Sequence, residues 1–229
     1  ASIFYARAGS AGFITPEELA AAGAIAESRE EKKMLAEKDS VFINLGEGSG
    51  IVAGDKFMIF DASQKVYHPI TGSKLGYKTK VLGELEVKEV SKDVSDAEIT
   101  TSFDSIPRGT KIKPIEPMSK EITLQKTTAE LDGYIVDAKR PVTMLGEDDV
   151  VYLDLGTRDG VIPGNIFLVY RPAKRASDPL TGRSLLLPPE IVAKLVIVNV
   201  QEETSTALVT KSRKELKIGD RVKSDIFFQ

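Results

Sequence analysis

Few side chains in this chain are placed to do chemistry. His68 is the only histidine, so a histidine-based triad or a multi-histidine metal site would have to be built on it alone. Its surroundings in sequence read as a loop. The acidic runs Glu147-Asp148-Asp149 and Asp93 to Asp96 could hold a cation or pair as acid and base. Neither follows the spacing of an EF-hand, and both are expected as solvated strand entries. Glu47-Gly48-Ser49-Gly50 has the glycines of a phosphate loop without the Gly-Lys-Ser/Thr ending. It also leads into a strand, where no helix N-terminus waits for an anion. The expectation is therefore a non-enzymatic protein with no catalytic residue, no cofactor and no metal. The chain has no cysteine, which excludes disulfides and thiolate ligands.

The elements around these residues are more informative, because they occur twice. Displaced by 110 residues, Gly23 falls on Gly133, and the chain matches itself from end to end. Asp39 to Gly46 lies on Asp149 to Gly156, Gly54-Asp55-Lys56-Phe57 on Gly164-Asn165-Ile166-Phe167, and Gly109 on Gly219. Glycines, turn residues and alternating apolar positions recur, whereas polar chemistry does not: His68 is matched by Asp178 and Asp55 by Asn165. Duplication of backbone and core without side-chain chemistry points to a scaffold. A unit of this length has the size of a small domain and exceeds the period of a solenoid repeat.

Period-two patterning at Val41, Ile43 and Leu45 repeats at Val151, Leu153 and Leu155, as half-buried strands require. Further strands are expected at Phe57 to Phe60, Gly83 to Val90, Ala97 to Thr101 and Thr110 to Lys113, and at the corresponding positions of the second copy. Five or six short strands per unit favour closure over a sheet with exposed edges. The predicted fold is all-β: two tandem small antiparallel SH3-like β-barrels. The expected divisions are an N-terminal tail (1–22), a first barrel (23–117), a linker (118–130) and a second barrel (131–229). Thr15-Pro16-Glu17-Glu18 carries a capping-box pattern with proline at the first helical position, predicting a short N-terminal helix that Gly23 ends. The linker's length predicts docked barrels sharing a modest interface.

The sharpest recurring motif is Pro69-Ile70-Thr71-Gly72 against Pro179-Leu180-Thr181-Gly182. Proline fixes φ and glycine permits a turn, which serves either a hairpin tip kept for its shape or a recognition loop. Gly54 and Gly164 mark equivalent tight turns, and Gly50 and Gly160 recur where a turn needs positive φ. The copies diverge where Leu75 to Lys80 is replaced by Leu185 to Glu190. Leu186, Leu187 and Pro188 there, with Ile226, Phe227 and Phe228 near the C-terminus, form the candidate partner interface.

With 31 Lys and Arg against 34 Asp and Glu, the net charge is −3, unlike a protein that binds nucleic acid by neutralising phosphates. Arg171 to Arg175 is the one basic stretch. No run approaches the roughly 18 apolar residues of a membrane-spanning helix, so a soluble chain is expected. Ala1 opens no signal peptide, which fits either a cytosolic protein or a trimmed one.

Gly23 to Asp39, the Gly-Asp-x-Phe step, His68 to Tyr77 and Pro107-Arg108-Gly109 together resemble the C-terminal region of LysM-containing proteins associated with the type IV pilus secretin. Asp159-Gly160-Val161, Leu186 to Glu190 and Lys217 to Val222 resemble the second half of that region, and are similar to the C-terminal domain of the flagellar assembly protein T. The resemblance implies a periplasmic structural protein, peripheral to the outer membrane. It would associate with the secretin, with room for a homo-oligomeric ring around it, and help anchor it to the cell wall. Residues 1–22 are too short for a LysM module. Peptidoglycan binding is therefore expected only through an N-terminal module this chain lacks, as in a remainder trimmed of signal peptide and LysM. A cell-wall glycan-binding module is the alternative, disfavoured by the absence of Trp and the six Tyr, because sugar rings stack on exposed aromatics.

Overall fold

A computed structural model describes residues 1–115 and 118–226; Phe227, Phe228 and Pro117 lie outside the described residues. Short strands β1 (Ser2–Phe4) and β2 (Phe13–Thr15) precede the first barrel. That barrel contains β3 (Gly23–Ser28), β4 (Met34–Leu35), β5 (Ser40–Ile43), β6 (Lys56–Tyr67), β7 (Lys74–Val90), β8 (Ser95–Ser102), β9 (Ile106–Pro107) and β10 (Lys111–Pro114). The sheet runs β7-β6-β10-β3-β5-β8 and closes through β7 against β8, while β2 adds to the outer edge of β7 and β4 pairs with β9.

β11 (Glu121–Thr123) leads to the second barrel, made of β12 (Asp132–Ala138), β13 (Val150–Leu153), β14 (Ile166–Arg171), β15 (Lys174–Ser177), β16 (Ser184–Leu187), β17 (Glu190–Val200), β18 (Ser205–Ser212) and β19 (Arg221–Ser224). It closes in the order β12-β13-β18-β17-β14-β19, and β15 pairs with β16 as a separate ribbon. The chain is thus all-β, with two closed six-stranded antiparallel barrels.

Alternation builds each interior. Ile25, Val41, Ile43, Ile59, Leu85 and Ile99 fill the first barrel, and Ile135, Val151, Leu153, Val169, Leu195 and Val209 the second. The 3-10 turns Glu47–Ser49 and Thr157–Asp159 end on Gly50 and Gly160 at φ of 72° and 83°, left-handed values at which other residues are strained. The acidic runs serve a related purpose. Asp39 accepts the Ala36 N–H at 2.8 Å and Asp149 the Gly146 N–H at 2.9 Å, so these carboxylates close turns. Asp55 and Asn165 likewise accept the N–H groups of Val52 and Ile162. The turn itself needs only an oxygen, and in the second copy the Asn165 amide nitrogen in addition donates to the Gln125 and Lys126 carbonyls at 3.3 and 3.4 Å.

The short N-terminal helix does not form. Residues 16–22 are irregular, with the Thr15 hydroxyl donating to the Glu17 carbonyl at 2.8 Å and Glu18 paired with Lys111. Thr15 belongs to a strand, and the Ala22 N–H bonds the Ile112 carbonyl. Sheet partners therefore take the polar groups that the capping pattern assigned to a helix.

The barrels meet through an apolar seam. A third apolar cluster joins Ala11 and Ile14 of the N-terminal segment, Val66 of the first barrel and Val136, Val150, Tyr152, Ile166, Val196, Val198 and Leu208 on the outside of the second. Residues 1–15 are thus a wedge in the seam, and β1 pairs with β11 across it.

Candidate partner-docking surface

Both barrels carry a β-hairpin arm, and the arms differ in what covers them. In the first, β6 and β7 run on past the barrel from Asp61 to Lys80. In the second, β15 and β16 form the corresponding ribbon. The two tips share one turn. The Gly72 N–H bonds the His68 carbonyl at 2.9 Å and the Gly182 N–H bonds the Asp178 carbonyl at 2.8 Å, with the two glycines at φ of 72° and 67°. His68 Nδ1 accepts the N–H groups of Ile70 and Thr71, and Asp178 Oδ1 accepts the N–H of Leu180. Pro69, Thr71 and Gly72, and Pro179, Thr181 and Gly182, therefore hold the same shape around different side chains.

The first arm is clamped to the second barrel. His68 is buried, its Nε2 lies 2.9 Å from Asp154 Oδ2, and its ring meets Tyr134 edge-on at 5.4 Å. Lys78 is equally buried, pairing with Asp137 at 2.8 Å and donating to the Ala138 carbonyl at 3.1 Å. On the arm's other edge β2 adds antiparallel, Thr15 opposite Tyr77 and Phe13 opposite Thr79. The wedge is pinned to the second barrel by three hydroxyls: Tyr152 donates to the Ala11 carbonyl at 2.7 Å, Thr204 to that of Ile14 at 2.7 Å and Thr206 to that of Gly12 at 2.9 Å. Burial pushes the Tyr152 phenol far above its ordinary value, so it stays a neutral donor.

The second arm has no such cover. Leu180 is 94% exposed and Leu186 69%, with Leu185, Leu187 and Ile191 also largely in solvent. Ser184 to Leu187 pair only with Lys174 to Ser177, which leaves the outer edge of β16 open; open, apolar edges are usually blunted or covered. Of the candidate interface residues, Leu186, Leu187 and Pro188 lie together on this arm, whereas Ile226 is half-buried at the base of the barrel. Gly54 and Gly164 sit away from both tips, in turns at φ of 95° and 89°.

Sequence reading missed Lys78, Tyr152, Thr204 and Thr206. The recoverable signal was in the copies: Val196, Val198 and Leu208 replace Glu86, Lys88 and Glu98, an outer face turned from charged to apolar in one barrel alone.

A second concavity of about 420 Å³ opens beside the wedge, lined by Tyr5, Arg7, Lys139, Arg140 and Asp148. Burial, helped by Arg7, holds the Lys139 ammonium below its ordinary value; its nitrogen donates to the Ser10 hydroxyl at 2.8 Å. Arg140 is taken by Asp149. Lys139 bonded to Ser10 of the wedge makes this cleft part of the joint. Among the described residues no group of three His, Cys, Asp or Glu side chains is arranged to hold a metal ion.

No family model matches the chain. It is similar to an uncharacterized protein of Aquifex aeolicus (strain VF5), 32% identical over 77 residues, which is 34% of this chain and 15% of that protein. The chain thus spans a small part of that protein's length, and the similarity places it in no named family.

Proposed function

We propose that the protein is a non-enzymatic structural adaptor of a cell-envelope machine. In this reading it lies in the periplasm and associates with the outer-membrane secretin of the type IV pilus. It helps to anchor the secretin to the cell wall, while a LysM module outside this chain supplies the grip on peptidoglycan. The resemblance carried by Gly54-Asp55-Lys56-Phe57 and His68 to Tyr77, and by Leu186 to Glu190 and Lys217 to Val222, supports the machine. The observation that carries the adaptor role is the uncovered arm of the second barrel, projecting three successive leucines from a two-barrel body. An apolar ribbon held in solvent by a firmly packed base is suited to docking protein and offers no group for catalysis.

The test is a pull-down of the chain against separate secretin subdomains, wild type beside Leu186→Asp/Leu187→Asp. Retention of wild type and loss of the variant, with both folded, is the expected result. Co-sedimentation with purified sacculi, competed by soluble glycan fragments, would instead favour a cell-wall glycan-binding module.

A further inference from the structure

We propose that the free arm of the second barrel docks on the first barrel of another copy of this chain, so that copies join head to tail. The proposal goes beyond the adaptor reading and does not require the secretin.

The joint inside the chain supplies the template. There the arm tip of one barrel rests on the next, with Ile70 and Pro69 over Gly219: a Cβ on that glycine would lie 3.7 Å from Ile70 Cδ1. The chain also carries the same pair unjoined. Leu180, the counterpart of Ile70, stands in solvent, and Gly109, the counterpart of Gly219, has nothing within 4 Å of its Cβ position. An unused donor at one end and an unused acceptor at the other are what a heterologous, repeating contact requires.

The polar latch has changed on both sides together. Inside the chain His68 meets Asp154 against the ring of Tyr134. Their counterparts are Asp178, Asn44 and Ala24. Asn44 Oδ1 accepts the Ala24 N–H at 2.7 Å, as Asp154 Oδ1 accepts that of Tyr134 at 2.6 Å. The exposed amide nitrogen of Asn44 is left as a donor, and the tip now carries a carboxylate whose Oδ1 accepts the Leu180 N–H and whose Oδ2 accepts the Thr181 hydroxyl at 2.5 Å, with further lone pairs to accept a second donor. Donor and acceptor have exchanged places, and the ring that served the imidazole is gone with it.

The second internal latch is not repeated, because Pro188 and Glu27 stand where Lys78 pairs with Asp137, and the new joint rests on the tip and on charge. On the free face of the first barrel Glu98 stands where Leu208 lines the internal seam, beside Asp96, which Arg29 already holds at 2.5 Å, and the arm that would meet Glu98 carries Lys174, Arg175 and Arg183. The wedge strand has no counterpart in the new joint and needs none. Gly76 is glycine because the Thr15 carbonyl would lie 2.1 Å from its Cβ. At the matching position Leu186 carries a side chain where a strand would have to approach, and on the facing barrel the Arg29 guanidinium lies over Phe42, the counterpart of Tyr152, 5.1 Å from its ring centre. Charge in place of a buried apolar seam suits a joint that forms between separate chains.

The experiment is sedimentation velocity of the whole chain without secretin, over a range reaching high micromolar. Wild type is expected to self-associate with rising concentration. Asn44→Asp, which keeps the acceptor for Ala24 but sets two carboxylates together, should weaken association about tenfold or more. Asn44→Asp/Asp178→His, which rebuilds the internal latch between chains, should restore it. Because the protein has no cysteine, oxidising a mixture of Leu180→Cys and Arg108→Cys chains should give the mixed dimer as the main product. A wild type that stays monomeric throughout, or an Asn44→Asp chain that associates as well as wild type, overturns the proposal. A monomer that still binds secretin overturns it while leaving the adaptor reading standing.

Discussion

His68 of the first barrel and Asp154 of the second meet at 2.9 Å, 86 residues apart in sequence, and this contact fastens one barrel's arm to the other's wall. Asp154 also accepts the Tyr134 N–H, so one carboxylate serves both the joint and its own barrel. His68→Ala should cost roughly 1–2 kcal/mol, read as a lower Tm. Proteolysis should then begin within the arm. Asp154→Ala also orphans the Tyr134 amide and should cost more. Equal losses for the two variants would mean that the carboxylate serves the joint alone.

Tyr152 tests the wedge. Its hydroxyl is the donor to the Ala11 carbonyl in a fully buried setting, and the ring is otherwise packed among apolar neighbours. Tyr152→Phe keeps that packing and leaves a carbonyl unpaired, at a cost of about 1–3 kcal/mol. Amide exchange should quicken first in residues 10–15, ahead of either barrel's interior strands. Uniform quickening across both barrels would count against a local role.

Gly54 and Gly164 hold equivalent turns, and the duplication alone would assign them equal weight. Their surroundings differ. A Cβ at Gly54 meets nothing within 4 Å, whereas at Gly164 it would lie 2.0 Å from the Thr123 carbonyl oxygen. Gly54→Ala should therefore cost only the left-handed backbone penalty, roughly 1–2 kcal/mol. Gly164→Ala must in addition displace the end of β11, and its midpoint in urea should fall distinctly further. Matching midpoints would show that this connection yields freely.

The Asp39 carboxyl is held below its ordinary value, chiefly by Lys32 at 2.8 Å and also by the Ala36 N–H, against the opposing effect of burial. Between its folded and unfolded values the unfolded chain binds more protons, so stability rises with pH through that window. The contribution is complete above the unfolded carboxylate range and is lost as pH falls through the folded value. Asp39→Asn should be less stable than wild type at neutral pH, with the gap closing on acidification in paired urea titrations. A gap that stays constant with pH would remove the charge from this account.

Duplication made most of the fold legible. Alternation at Val41 to Leu45 and at Val151 to Leu155, with glycines at matched turns, places barrel strands because a half-buried strand leaves a period of two in any sequence. The seam was harder to read. Val196 and Leu208 lie on strands whose inner faces are equally apolar, so their outward burial shows only by comparison with Glu86 and Glu98. The capping pattern at Thr15 misled because local propensity is a weak prior against sheet partners drawn from far along the chain. The arms were legible as turns and not as arms: a Pro-x-Thr-Gly tip looks the same whether it clasps a neighbour, as at Pro69, or stands free, as at Pro179.

The wedge also imposes an order on biosynthesis. Residues 11–15 leave the ribosome well ahead of their partners, since the hydroxyls of Thr204 and Thr206 that hold the Ile14 and Gly12 carbonyls are translated nearly two hundred positions later. The first barrel can close by itself once β10 has emerged, and β2 can settle on its arm. Ile14 and Ala11 must then wait, greasy and uncovered on that side, until the last strands are made. A nascent chain stalled before Ser205 would present this half-built seam as a binding site for chaperones, and its release from them would report completion of the second barrel.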